Sequence, residues 1–176
     1  DAAGLITRYA YSDDGLTATV TRPGDVTEIT GRYTDGRTKS VSGSGVVARF
    51  YEYGVEPGGL LTTTVYTGGE ASPMREKTAV DGPGRTIRTE KPGYGGGTSV
   101  TENICDDKGR LIRTVAPAQA DMADTLYAYD PSAGARYRSG LDPDGNGAPE
   151  PGVDRMTESK TAFVYEGTLW RASDRY

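Results

Sequence analysis

Alternation of apolar and polar residues recurs along the chain. Nine stretches of six to eleven residues place apolar, aromatic or threonine side chains in turn with charged or polar ones. A period of two residues is typical of strands that expose one face. Clusters of Gly, Pro, Asp and Ser lie between the stretches and are typical of turns. The pattern therefore predicts an all-β fold, an antiparallel β-hairpin meander of about ten to twelve short strands. The nine stretches are residues 17–22, 26–33, 46–53, 60–67, 85–91, 99–104, 110–116, 125–130 and 156–166.

Two segments of the chain repeat each other without a gap. Residues 81–92 (DGPGRTIRTEKP) and 106–117 (DDKGRLIRTVAP) share an Asp, a Gly-Arg pair, an Ile-Arg-Thr run and a final Pro. Weaker copies occupy residues 12–23, which keep the spacing of Gly and Pro, and residues 34–41, which keep only the Gly-Arg start. Internal repeats of this kind predict stacked supersecondary units that pack against their neighbours.

Aromatic pairs spaced two residues apart precede several turns. This spacing places both rings on one face of a strand, where they can stack on equivalent rings of the next strand. Because Phe and Trp are scarce and Tyr is abundant, we expect the hairpins to be held by ladders of tyrosine. The pairs are Tyr9 and Tyr11, Tyr51 and Tyr53, Tyr127 and Tyr129, and Phe163 and Tyr165.

The composition excludes several classes of function. The chain has no His and a single cysteine, Cys105, so it has neither histidine-based catalysis nor a paired-cysteine zinc site. A net charge of −5 disfavours nucleic acid as a partner. No apolar run approaches the length of a membrane span. No pair of carboxylates stands out as catalytic, and we expect no enzymatic function.

Taken together, the repeated features resemble the YD repeat of the RHS family. That repeat combines a tyrosine-bearing strand, an Asp-x-x-Gly-Arg turn and an alternating strand closed by Pro. Cys105 departs from the pattern, since it stands where the repeat has Tyr, and residues 54–79 carry no clear copy. The matching stretches are YAYSDDG (9–15), VDGPGR (80–85), CDDKGR (105–110) and YAYDPSAG (127–134).

The resemblance implies a β-hairpin spiral whose strands wind into a hollow shell. Members of the family are large exported or surface proteins, including toxin-encapsulating cages and teneurin-like adhesion proteins. Residues 1–176 would form a single repeat-containing segment of such a protein, an arc of the shell that acts as a wall or spacer. The implied partners are adjoining repeats of the same or a neighbouring chain, and the implied location is secreted or at the cell surface.

One acidic loop carries the candidate chemistry of the chain. In GLDPDGNGAPEPGVDR (140–155), Asp and Asn occupy positions 1, 3 and 5 of a calcium loop, and Gly follows at position 6. The second half departs from that loop, because position 12 is Val153 and the nearest carboxylate comes one residue later. The sequence predicts a structural Ca²⁺ site, and the alternative is a polar connection formed by Asx turns. The predicted ligands are Asp142, Asp144, Asn146, Ala148, Glu150 and Asp154.

A calcium loop also supports a second hypothesis for function. On this hypothesis the chain is an adhesin-like module that binds a surface glycan or a protein in a calcium-dependent way. Self-association at the strand edges favours the shell segment, whereas a stable monomer that binds glycans favours the adhesin-like module.

Overall fold

The structure, a computed structural model, contains only strands and one short 3-10 turn among the residues it describes. Fourteen strands lie in this described part of the chain, and the pairings between consecutive strands within each unit are antiparallel. The predicted all-β hairpin meander is therefore confirmed. No helix in the described part of the chain has the length and apolar character needed to cross a membrane. The described residues are 5–117, 122–132, 134–150, 152–165 and 169–175, with side chains described as far as residue 159.

Residues 1–98 form the first of two compact units. Eight strands of this unit lie in the order of the sequence, and each pairs with the next through the turns predicted from Gly, Asp and Pro. The strands are β1 (Arg8–Tyr11), β2 (Thr17–Arg22), β3 (Val26–Arg32), β4 (Thr38–Ser42), β5 (Arg49–Val55), β6 (Leu61–Thr67), β7 (Arg75–Val80) and β8 (Thr86–Pro92), followed by the 3-10 turn Tyr94–Gly96.

Residues 99–176 form the second unit. Its strands also pair only in sequence order within the described residues, and β12 and β13 are joined by the acidic loop. The strands are β9 (Thr98–Cys105), β10 (Leu111–Val115), β11 (Asp124–Tyr129), β12 (Arg136–Asp142), β13 (Arg155–Tyr165) and β14 (Leu169–Arg175).

The predicted strand count is too low. The nine alternating stretches correspond to β2, β3, β5, β6, β8, β9, β10, β11 and β13, and β2 matches its predicted bounds in full. The alternation did not single out β4, β7, β12 and β14, and β1 was indicated only by the Tyr9 and Tyr11 pair. Several of these strands are short or open on charged residues, as in TKSVS of β4 and REKTAV of β7. They are strands because their neighbours in the hairpins supply a ladder of hydrogen bonds, and alternation is not needed for that.

Few side chains are buried in either unit. Among the described residues the only buried apolar side chains are Ala79 and Leu126, which are 0% and 1% exposed. Tyr9 and Tyr11 of β1 are 66% and 69% exposed. Burial of apolar side chains therefore contributes little, and the contacts between neighbouring hairpins must contribute much of the stability.

Candidate functional site

The two repeated turns share two hydrogen bonds between their Asp and Arg. In the first copy, Asp81 accepts from the backbone N–H of Arg85 at 2.8 Å through Oδ1 and from its Nε at 2.7 Å through Oδ2. In the second, Asp106 accepts from the backbone N–H and Nε of Arg110 at the same two distances. We call this pair of hydrogen bonds between the Asp and the Arg of one turn a clamp. The two copies that repeat in sequence therefore also have the same local structure.

The clamp also sets the charge state of its carboxylates. The hydrogen bond from the Arg85 side chain is the main cause that lowers the pKa of Asp81 below 3.8. For Asp106 the backbone N–H of Arg110 is the main cause of a lowered pKa, and the guanidinium adds to it. Both carboxylates are therefore ionised under ordinary conditions and hold their arginines as ion pairs.

The second tyrosine of a pair packs on the clamped arginine of the neighbouring hairpin. In the second unit, the Arg110 Cζ lies 4.7 Å from the centroid of the Tyr129 ring. The Tyr129 hydroxyl donates a hydrogen bond of 2.9 Å to the carbonyl oxygen of Leu111. We call this pair of contacts, a ring on an arginine and a hydroxyl on the carbonyl of the next residue, a tyrosine lock.

The first unit contains the same lock. The Arg37 Cζ lies 4.4 Å from the Tyr53 ring centroid, and the Tyr53 hydroxyl donates to the carbonyl oxygen of Thr38 at 3.0 Å. Asp35 accepts from Arg37 Nε at 2.7 Å, although it lies two residues before its arginine, whereas the Asp of the longer copies lies four residues before. Tyr33 packs edge-to-face on Tyr53, with ring centroids 6.0 Å apart. The expected ladder of rings is thus replaced by rings on arginines, and the described side chains contain one aromatic pair.

The lock has two contributions to stability. A cation over an aromatic ring at an exposed site contributes about 0.5–1 kcal/mol, and a hydrogen bond contributes about 1 kcal/mol net. The sequence did not reveal this partnership, because the arginine and its tyrosine are 16 residues apart in one lock and 19 in the other. The shared order of Asp, Gly, Arg and a later tyrosine pair is the signal that the two locks have in common.

The acidic loop begins and ends at two strands that approach closely. Asp142 is the last residue of β12 and pairs with Asp124 of β11. Two residues earlier, Gly140 pairs with Met156 of β13. A Cβ at Gly140 would lie 2.1 Å from the carbonyl oxygen of Arg155, so this position has room only for glycine. The glycine thereby brings the two ends of the loop together, a role that the sequence pattern did not predict.

Three carboxylates converge in this loop. Asp142, Asp144 and Asp154 each offer an oxygen within 4.8 Å of the others. Asp142 is 2% exposed and Asp154 is 7% exposed. Their Oδ2 atoms accept backbone N–H groups of the loop, from Gly147 to Asp142 at 2.9 Å and from Glu150 to Asp154 at 2.7 Å. Their Oδ1 atoms are buried and have no hydrogen-bond partner.

The other predicted ligands have contacts within the loop itself. Asn146 donates from Nδ2 to Asp144 Oδ2 at 2.9 Å and accepts from the Ala148 N–H at 2.7 Å. The Glu150 side chain is exposed and lies outside the cluster of three carboxylates. Asp154 joins that cluster although it falls one residue after position 12, because its own N–H donates to the carbonyl of Glu150 at 2.9 Å in a tight turn. Asx turns and a carboxylate cluster are therefore present together.

The surroundings of Asp142 favour its ionised form. Burial raises the pKa of Asp142, but the Gly147 N–H, the contact with Asp144 and the charge of Arg113 together lower it below 3.8. Arg113 is itself paired with Asp124, with 2.5 Å between Nε and Oδ2. An open cavity of about 430 Å³ borders the cluster and gives solution access to Asp142 and Asp144. Carboxylate oxygens in such a setting are suited to a hard cation.

No protein-family model matches the chain, and no curated protein matches it.

Proposed function

We propose that the chain is a structural segment of a larger exported or surface protein, an arc of a wall of stacked hairpins similar to that of YD/RHS proteins. The tyrosine lock supports this proposal, because the same contacts occur in each unit between one hairpin and the turn of its neighbour. A lock of this kind joins repeats without a large apolar core. The role we assign to the lock is to join a hairpin to the next one in the row.

Contacts between neighbours are the energetic basis of such a wall. In repeat proteins the stability is close to a sum of the intrinsic stability of each repeat and the interface with the next one. The low number of buried apolar side chains fits that scheme better than a shared core. The Asp-Arg clamp orders the three described turns that contain it, and at two of them the lock joins the turn to the adjoining hairpin.

The β1 strand offers an edge on which a wall could continue. Among the described strands β1 pairs with β2 alone. The Ser12 N–H donates to the Thr17 carbonyl at 3.0 Å, so alternate residues back along the strand also point toward β2. The backbone N–H groups of Tyr9 and Tyr11 therefore point to the open side. Unpaired strand edges accept another strand readily.

Sedimentation velocity over a range of concentrations tests this proposal. We expect reversible association of the chain, and we expect Tyr9→Pro to weaken it more than Tyr9→Ala. Both variants remove the ring, but only proline removes the outward N–H of the edge. Circular dichroism checks that both variants keep their strands.

Two results would count against a wall segment. The first is a chain that stays monomeric at all concentrations, and if that monomer is retained on a glycan array, the adhesin-like module is the better account. The second is equal association of the natural chain and both variants, which would mean that the β1 edge takes no part.

A further inference from the structure

We propose that Asp142, Asp144 and Asp154 bind one Ca²⁺ ion that closes the loop between β12 and β13. This inference stands on the geometry of the loop and does not depend on the proposed wall. It also revises the ligand set expected from the sequence. Asp142, Asp144 and Asp154 remain as ligands, whereas Asn146, Ala148 and Glu150 are no longer included.

The spacing of the carboxylates fits a shared calcium ion. Ca²⁺ binds oxygen at about 2.3–2.6 Å, so two ligands on opposite sides of one ion lie at most about 5.2 Å apart. The oxygens offered by the three carboxylates lie within 4.8 Å of one another. Carboxylates this close repel each other when they are all ionised, and a cation between them offsets that repulsion.

Two buried oxygens supply the second, independent observation. Asp142 Oδ1 and Asp154 Oδ1 are buried without a hydrogen-bond partner. Buried polar atoms are nearly always paired, and an unpaired buried carboxylate oxygen is costly. Each of these residues already uses its Oδ2 to hold the loop backbone, so the loop is ordered around them while one oxygen of each stays available.

The ligand chemistry favours calcium over other metals. The cluster offers carboxylate oxygens, and the chain has no His to provide a nitrogen ligand. Zinc and copper sites use nitrogen and sulfur, whereas oxygen ligands suit Ca²⁺ and Mg²⁺. Mg²⁺ binds through one or two carboxylates and keeps much of its water, whereas Ca²⁺ accepts several carboxylates in an irregular arrangement. Three converging carboxylates therefore favour Ca²⁺.

Binding of the ion would tie two strands together. Asp142 ends β12, and Asp154 immediately precedes Arg155, the first residue of β13. An ion held by both carboxylates fixes the ends of the loop relative to each other. We therefore expect Ca²⁺ to slow hydrogen exchange of the loop amides, including the Gly147 N–H that donates to Asp142.

Calorimetric titration of the full chain with CaCl₂, after removal of metal by chelator, tests the proposal. We expect one Ca²⁺ per chain and a loss of affinity of at least about tenfold in Asp144→Asn and in Asp154→Asn. Glu150→Gln is the matched control, since it removes the same charge from the same loop at a carboxylate outside the cluster. Its affinity should equal that of the natural chain.

Thermal unfolding compares the natural chain with Asp144→Asn, first with chelator and then with calcium. The difference in unfolding temperature between the two chains should change sign. With chelator, Asp144→Asn should unfold at a higher temperature than the natural chain, because it relieves repulsion. With calcium at about 100 times its dissociation constant, the natural chain should gain about 5 °C or more, and Asp144→Asn should not. Asp144 is exposed, so this variant keeps the test valid even if Asp154→Asn fails to fold.

Three outcomes would overturn the proposal. The absence of both binding heat and a rise in unfolding temperature at millimolar Ca²⁺ removes the site altogether. An equal loss of affinity in Glu150→Gln and Asp144→Asn removes the proposed ligand set. Binding of Mg²⁺ as tight as that of Ca²⁺ removes the assignment of the metal. None of these outcomes bears on the association at the β1 edge, so the two proposals can fail separately.

Discussion

At the scale of single residues, tyrosine in this chain acts through its ring and its hydroxyl together. Tyr129 covers the Arg110 guanidinium and also donates to the Leu111 carbonyl. A ring without a hydroxyl retains the first contact and loses the second. This explains why a chain with 12 Tyr and two Phe can hold its hairpins with few buried apolar side chains.

Tyr129→Phe should lower the free energy of unfolding by about 0.5–1.5 kcal/mol, because the Leu111 carbonyl loses its donor. Tyr53→Phe should behave alike through Thr38. Denaturant unfolding measures both changes. Tyr94→Phe is the control, since Tyr94 is 99% exposed and the loss of its hydroxyl should change stability by less than about 0.5 kcal/mol. An equal effect of all three variants would contradict the lock.

A clamp carboxylate, Asp81, and the ion-paired Glu56 predict how stability depends on pH. The pKa of Asp81 is lowered from 3.8 by the Arg85 side chain, and that of Glu56 is lowered from 4.5 by its hydrogen bond with Lys77. A pKa lowered in the folded state gives stability that is present above the unfolded pKa and is lost as the pH falls through the folded one. The free energy of unfolding should therefore fall once the pH drops below 4.5 and then below 3.8.

Denaturant unfolding at a series of pH values measures this dependence. Stability should be nearly level between about pH 5 and pH 8, since the chain has no His to titrate there. Asp81→Asn keeps an acceptor for the Arg85 N–H but removes the charge. The free energy of unfolding of this variant should therefore fall less between about pH 5 and acidic pH than that of the natural chain. If most of the stability were lost near neutral pH instead, these carboxylates would not be the cause of the pH dependence.

At the scale of elements, the turn and the strand that follows it form the repeated unit. Gly84 and Gly109 have φ of 87° and 78°, and each donates its N–H at 2.9 Å to the carbonyl of the clamping Asp. This backbone conformation disfavours every residue with a side chain except Asn and Asp. The turn therefore requires glycine at this position, and the clamp requires arginine at the next one.

Gly84→Ala should lower the free energy of unfolding by about 1–2 kcal/mol through backbone strain alone, because no atom lies within 4 Å of a Cβ at that position. Gly82 of the same turn is the matched control. It has the same free space and no positive φ, so Gly82→Ala should be neutral or stabilise the chain by up to about 1 kcal/mol. Chemical denaturation compares the two variants, and an equal loss in both would contradict the strain at Gly84.

The sequence predicts elements well wherever one residue type decides the local geometry. Strand β2 was predicted in full from alternation, and the turns were predicted from Asp and Gly. The acidic loop was predicted only in part, since Asp142 and Asp144 follow a known spacing whereas Asp154 joins them through a turn that no spacing encodes. Gly140 was missed for a similar reason, because its role depends on how closely Arg155 of the paired strand approaches.

At the scale of the whole molecule, each of the two units is a row of hairpins in which neighbouring strands pair with one another. Within each unit the strands pair in sequence order, and no described strand is buried beneath another layer of apolar side chains. Such a chain should lose stability locally when one contact is removed. A protein with a shared core would instead lose stability everywhere, since it unfolds as one body.

Native-state hydrogen exchange of the Tyr53→Phe variant, resolved strand by strand, tests this account most directly. The removed bond joins Tyr53 of β5 to Thr38 of β4, within the first unit. We predict that protection falls in β3, β4 and β5 and stays unchanged in β7 and β8 of the same unit. An equal fall in protection across all eight strands would show a single cooperative core and would contradict a wall of stacked hairpins.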